Sequence, residues 1–242
     1  MSVITVVVAL LAGLAAGAAA RPLIFARAVP RGEPNRRACP ACAAAYPSPG
    51  MGGWLRATTG RCPSCHEKIG PAAGLPEGLT GAAFAALAAS GATGWIGAAQ
   101  YWLLACGAAL TIIDLTVHRL PDVLTLPASA GTLLLLGGAA LVGESGSFWR
   151  ALEAAVLITA LYLVLVLVGM GMGDVKLAPA VGAILGWSSW TAVLRGAFAG
   201  FALAAVVGLA LMLLGRASRR SHLAFGPFMI AGALLISALA VD

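Results

Sequence analysis

The chain has 242 residues, of which 60% are hydrophobic and only 10% charged. A soluble domain carries roughly 25% charged residues, so an ordinary soluble fold is excluded and lipid is the solvent for most of the chain. The net charge of +6 does not point to nucleic acid, because the basic residues collect between apolar runs, where they set membrane topology.

The first apolar run covers 3–20. Nothing basic precedes it, whereas Arg21, Arg27 and Arg31 follow it. A signal peptide carries its basic residues first, so 1–20 is expected to be a retained first transmembrane helix.

The segment 21–78 changes character. It is broken by Pro and Gly, and it holds eight of the fifteen basic residues and four of the five cysteines. Cys39 and Cys42 form one CxxC knuckle, and Cys62 and Cys65 form a second, nineteen residues on. Each knuckle turns two thiolates toward one point, and this spacing suits a tetrahedral, structural Zn2+ site. Two disulfides are the alternative, disfavoured if the segment is cytoplasmic; a redox CxxC is another. Metal would hold together an insert with few large apolar residues. His66 reads as a solvated loop residue, and Cys106, inside an apolar run, as a buried small side chain.

Seven apolar runs follow in 79–242, near 79–92, 95–113, 123–142, 151–169, 177–194, 196–215 and 223–241. The expected fold is an all-α membrane protein: an eight-helix transmembrane bundle with a small cytoplasmic zinc-knuckle insert between helices 1 and 2. The expected breaks include LTVHRLPD, GMGMGDVK, Arg195 and the RASRRSH turn. With the insert in the cytoplasm, thirteen of the fifteen basic residues fall on that side, leaving Arg150 and Arg195 outside. Membrane lipid is the expected surround, and no nucleic-acid partner is expected. GMGMGD has no flanking strand and sits among lipid-embedded runs, which argues against a phosphate loop.

Few acids lie in the seven-run region. Glu144 falls in an outer turn, where solvation explains it, and Glu153 lies one helical turn from Arg150, which supplies an ion pair. Asp114 ends a long apolar run. Asp174 lies in a Gly-rich break, which membranes tolerate where backbone lines a protected cavity. The topology puts both on the cytoplasmic side. Two close carboxylates share a proton, so one can accept a proton from water while the other donates to a carbonyl. A local ion pair of Asp174 with Lys176 is the plainer reading, and ion or proton conduction is a further one. Asp122 follows Pro121 and suits the positive end of the next helix.

The motifs together resemble those of bacterial type IV prepilin peptidases. TIIDLTVHRLPDVLTLP looks like the first aspartate motif, with Asp114 as the expected catalytic residue and Leu120, Pro121 and Asp122 as its downstream part. GMGDVKL looks like the second, GxGD motif, with Asp174 as partner and Gly171, Gly173 and Lys176 shaping the loop. HLAFGPFMIAGA, from His222 to Ala233, resembles the last-helix segment, and the double CxxC resembles the zinc domain of longer members. The resemblance implies an eight-helix GxGD aspartyl peptidase in the bacterial inner membrane, catalytic face cytoplasmic. It implies removal of a short basic leader from type IV prepilin or pseudopilin substrates. It also implies N-methylation of the new terminus from S-adenosylmethionine in many members. The exit from the first run, GLAAGAAARPLIFARAVP, and the stretch HEKIGPAAGLPEGL depart from the family pattern, which bears on methyl transfer rather than on proteolysis. A proton- or ion-coupled transporter with a zinc-binding regulatory insert is the alternative from another class, and a catalytically silent membrane scaffold a third.

Overall fold

A computed structural model of the protein describes residues 2–30, 32–46, 58–216 and 224–239. Among them are eight helices: α1 (Val3–Arg27), α2 (Leu75–Ala89), α3 (Gly94–Val117), α4 (Asp122–Leu141), α5 (Phe148–Val166), α6 (Met172–Ser188), α7 (Trp190–Leu213) and α8 (Gly226–Leu239). The only extended pairing among these residues is two isolated bridges, Ala38 with Ala45 and Arg61 with Lys68. Arg31, Arg219, Arg220, His222 and Asp242 lie outside the described residues.

Five helices, α1, α3, α4, α5 and α7, are long and apolar enough to cross a membrane, and the chain is a multi-pass membrane protein. Their outward faces carry bare leucines and aromatics such as Leu134, Leu141, Leu163 and Phe198, side chains that lipid accepts and water does not. α6 is different. It is buried from Asp174 to Trp187 on nearly every side and touches α3, α4, α5, α7 and α8. A helix that is apolar all round belongs in the middle of a bundle. Its fit against α5 depends on small residues. A Cβ on Gly182 would stand 2.6 Å from the Ala154 carbonyl oxygen, so only glycine lets the two backbones meet there.

α1 continues seven residues past the expected end at Ala20. Arg21 is not at a solvated boundary: it is 2% exposed, its Nε and Nη2 donate to the Glu77 carboxylate, and Nη1 and Nη2 donate to the carbonyls of Pro71 and Ala72. A turn further on, the Phe25 ring meets Tyr46 edge-on at 4.5 Å. With Cys39, Cys62 and Ile69 these rings form a small separate core, so the last turns of α1 belong to the folding of the segment that follows.

Other boundaries also shift. α6 begins at Met172 rather than near 177, which leaves only 169–171 of the Gly-rich break outside a helix. Arg195 lies within α7. The break falls at Ser189, whose extended backbone and hydroxyl cap α7 by accepting the Ala192 N–H at 3.0 Å. Glu144 is not simply solvated. Its two oxygens accept the N–H groups of Trp95 and Ile96 at 2.6 and 3.1 Å, capping α3. Arg150 turns away from Glu153 and donates to the carbonyls of Gly186, Trp187 and Ser188, the open end of α6. In both cases the partial charge of a free helix end outbids the expected partner.

Candidate active site

α3 ends because His118 adopts the left-handed conformation, φ 50°, with its N–H returned to the Asp114 carbonyl at 2.8 Å. The chain then turns through Arg119, Leu120 and Pro121 into α4. Asp114 therefore sits in the last turn of α3. Asp174 sits in the first turn of α6, where the positive helix end favours a carboxylate. The C-terminal end of α3 and the N-terminal end of α6 lie at the same end of the bundle, and both acids line the cavities there.

Asp114 and Asp174 are only 6% and 5% exposed. Both line the same two adjoining cavities, of about 340 and 370 Å³. Asp114 Oδ2 accepts the Gly226 N–H at 3.2 Å, so the first residue of α8 fixes its carboxylate. Gly173 lets α6 approach the α3–α4 turn, since a Cβ there would stand 2.8 Å from the Leu120 Cβ. Gly171 caps α6 beside the Asp174 carboxylate.

Lys176 does not pair with Asp174. Its Nζ contacts Asp122 Oδ1 at 2.5 Å, across the gap from α6 to the start of α4. The reason is helical geometry: residues two apart point to different faces. Asp174 is thereby left without a counter-ion among the residues the sequence singled out. Three further residues belong to the site. His118 and Arg27 line the cavity of about 340 Å³, and Gly226 supplies the N–H described above. His118 was legible only as a neighbour inside the first aspartate motif, and Arg27, eighty-seven positions before Asp114, gave no local signal.

At the same end, beyond α1, the four thiols of Cys39, Cys42, Cys62 and Cys65 lie within 4.8 Å of one another. The knuckles fold alike. Cys39 and Cys62 each accept the N–H of the residue four on, Ala43 and His66, which hold positive φ of 56° and 59°. The Sγ–Sγ separations of 3.7 Å for Cys39–Cys65 and 3.6 Å for Cys42–Cys62 approach the edge of about 3.8 Å that a tetrahedron with Zn–S of about 2.3 Å requires. Backbone N–H groups of Cys65 and Ser64 pull the Cys62 thiol down to about 6, which readies a thiolate for metal. The set fits zinc. His66 stands outside it, and all five cysteines are free thiols.

Comparison with known proteins adds an independent line. The model of the type IV leader peptidase family matches residues 98–240, which run from α3 into the last helix and include both aspartates. A prepilin leader peptidase/N-methyltransferase of Aeromonas hydrophila is 38% identical over 186 residues, covering 74% of this chain and 61% of that protein. A protein of the same name from Burkholderia pseudomallei (strain 1026b) is 36% identical over 216 residues, covering 81% of this chain and 65% of its own length. One from Neisseria gonorrhoeae is 31% identical over 185 residues, with 73% and 61% covered. The chain thus spans between three fifths and two thirds of the length of these curated relatives. No solved structure matches it.

Proposed function

The chain belongs to the type IV leader peptidase family, and from that premise we propose that it is an intramembrane aspartic endopeptidase with Asp114 and Asp174 as its reacting pair. Its substrates are type IV prepilins or pseudopilins, from which it removes the short basic leader. The observation that supports this is that two buried carboxylates, sixty residues apart in the chain, line one polar cavity at the end of the bundle.

The chemistry follows from that pairing. Two adjacent buried carboxylates cannot both ionise cheaply, so the pair holds one proton. The ionised member takes a proton from water as its oxygen attacks the scissile carbonyl, while the protonated member donates to the carbonyl oxygen. The tetrahedral intermediate then collapses. Its C–N bond breaks, the leaving nitrogen receives a proton, and one water is consumed. The Gly226 N–H keeps the Asp114 carboxylate oriented. The Asp122–Lys176 pair stands at the rim, 58% and 40% exposed, where a substrate's polar segment would pass. In this reading the site faces the cytoplasm at the bacterial inner membrane, and 1–20, 21–78 and 79–242 act as anchor, zinc-binding insert and peptidase bundle. Cys39, Cys42, Cys62 and Cys65 would hold zinc, which would supply a structural clamp for the insert.

Co-expression with a prepilin, followed by a gel that resolves leader removal, is the test. Wild type produces the shortened product. Asp114→Asn and Asp174→Asn each abolish it while the protein still accumulates in the membrane; at position 114, asparagine keeps an acceptor for the Gly226 N–H. Undiminished cleavage by either variant removes that residue from the pair. Ion flux without cleavage assigns the chain to transport instead. The relatives' names also carry an N-methyltransferase activity. A product heavier by one methyl group when S-adenosylmethionine is supplied assigns that activity to this chain, and an unmodified product withholds it. No residue of this chain is assigned to that donor.

A further inference from the structure

α2 and α8 both pack against α3, and between them runs an open apolar groove of about 560 Å³ with α3 as its floor. Among its leucines and isoleucines it has small residues on each wall: Ala83 and Ala86 on α2, Gly107 and Ala108 on α3, Ala231 and Ala238 on α8. Small residues let a further helix approach closely, which is how helices associate in lipid. The hydroxyls of Thr80 and Ser90, also in the groove, donate back to the carbonyls of Pro76 and Leu87 at 2.7 and 2.8 Å and ask nothing of a ligand.

The groove has a direction. Its lining along α8 runs from Pro227 to Leu239, about 18 Å at 1.5 Å per residue, enough for about twelve residues of helix. One end comes near Asp114 at the start of α8, where Pro227, in the groove, follows the Gly226 whose N–H binds the Asp114 carboxylate. Beyond Asp114 the lining turns charged, with Arg27, Arg119, Asp122 and Lys176 around the polar cavity. The apolar trough and the polar chamber thus come close to each other at the start of α8, beside Asp114. The matching partner is a chain that is an apolar helix on one side of the cut and a charged, extended segment on the other.

We infer that the α2–α3–α8 groove seats the apolar transmembrane helix of the substrate and delivers the residues just outside that helix to Asp114 and Asp174. This rests on the peptidase reading and adds to it the surface that recognises the uncharged half of the substrate.

Two measurements test it in nanodiscs. The first compares kcat/KM for a full prepilin with kcat/KM for a peptide that keeps the leader and cleavage point but lacks the apolar helix. Ala231→Trp, which fills the groove, reduces that ratio by about tenfold or more relative to wild type. An unchanged ratio overturns the inference. The second places a photo-crosslinking amino acid at Leu235 in the groove, and at Leu157 on the lipid-facing side of α5 as control, and so does not depend on the tryptophan variant folding. Crosslinks from Leu235 to the prepilin helix, and not from Leu157, support the groove. Crosslinks from Leu235 to lipid alone, or equally from both positions, overturn it. If wild type cuts neither substrate, the peptidase reading fails, and the crosslinks decide the groove by themselves.

Discussion

Replacing Glu77 with alanine leaves the Arg21 guanidinium, 2% exposed, buried without its carboxylate. Breaking such a pair costs about 3–5 kcal/mol, whereas exchanging both members for apolar residues of similar size costs far less. Thermal unfolding in detergent should therefore show a large loss for Glu77→Ala and a smaller one for the double change Arg21→Met with Glu77→Leu; equal losses contradict this view of the pair. Gly173 is a second sensitive point. Gly173→Ala must push the Leu120 turn away from α6, because its Cβ would lie 2.8 Å from that of Leu120. A displacement of about 1 Å at a reacting group costs on the order of 100-fold in rate. We expect a fall of that order in kcat for prepilin cleavage, with zinc content retained, and a rate within twofold of wild type would show that the turn does not position the acids. At this scale the sequence was informative where chemistry is carried by residue type: four cysteines in two knuckles, and carboxylates beside long apolar runs. It was uninformative about partners. Nothing local says that Arg21 reaches fifty-six positions to Glu77. Lys176 looked like the partner of Asp174 only because adjacency along the chain was read as adjacency in space.

The helices were legible from their apolar runs, and their ends were not. Arg195 marked an expected break, yet it lies within α7, because the serine cap at Ser189 is a stronger stop signal than a charge that can extend to the membrane surface. Asp174 fell in an expected loop, yet it sits in the first turn of α6, where a carboxylate and a glycine-rich approach are both favourable. The charges at the opposite end of the bundle show the same physics, since Glu144 and Arg150 each bind backbone at a helix terminus far along the chain. Glu144→Ala should cost about 1 kcal/mol, the usual worth of a cap. Hydrogen exchange should locate the loss in the first turn of α3, at Trp95 and Ile96. Exchange spread evenly over the bundle, or unaltered at those two amides, would contradict the capping role.

Taken whole, the molecule gathers its cysteine cluster and its polar cavities at one end. The cysteine cluster, the Arg21–Glu77 pair, the end of α1 and the two buried aspartates lie there, and apolar helices extend away from them. Metal analysis of purified protein should find one zinc per chain, lost in Cys62→Ser. Chelation should open the segment between α1 and α2 to protease while the helices stay protected. Protease resistance unaltered by chelation would mean that metal does not hold the insert. The central claim is that Asp114 and Asp174 act as one unit. Residues that share a single step are not additive, so removing the second costs little once the first is gone. The direct measurement is the rate of prepilin cleavage, followed by intact mass in nanodiscs, for wild type, Asp114→Asn, Asp174→Asn and the double variant. We expect both single variants to fall to the level of the double variant. A single variant that keeps measurable turnover, with the double variant slower by the product of the two separate losses, would show that the carboxylates act independently.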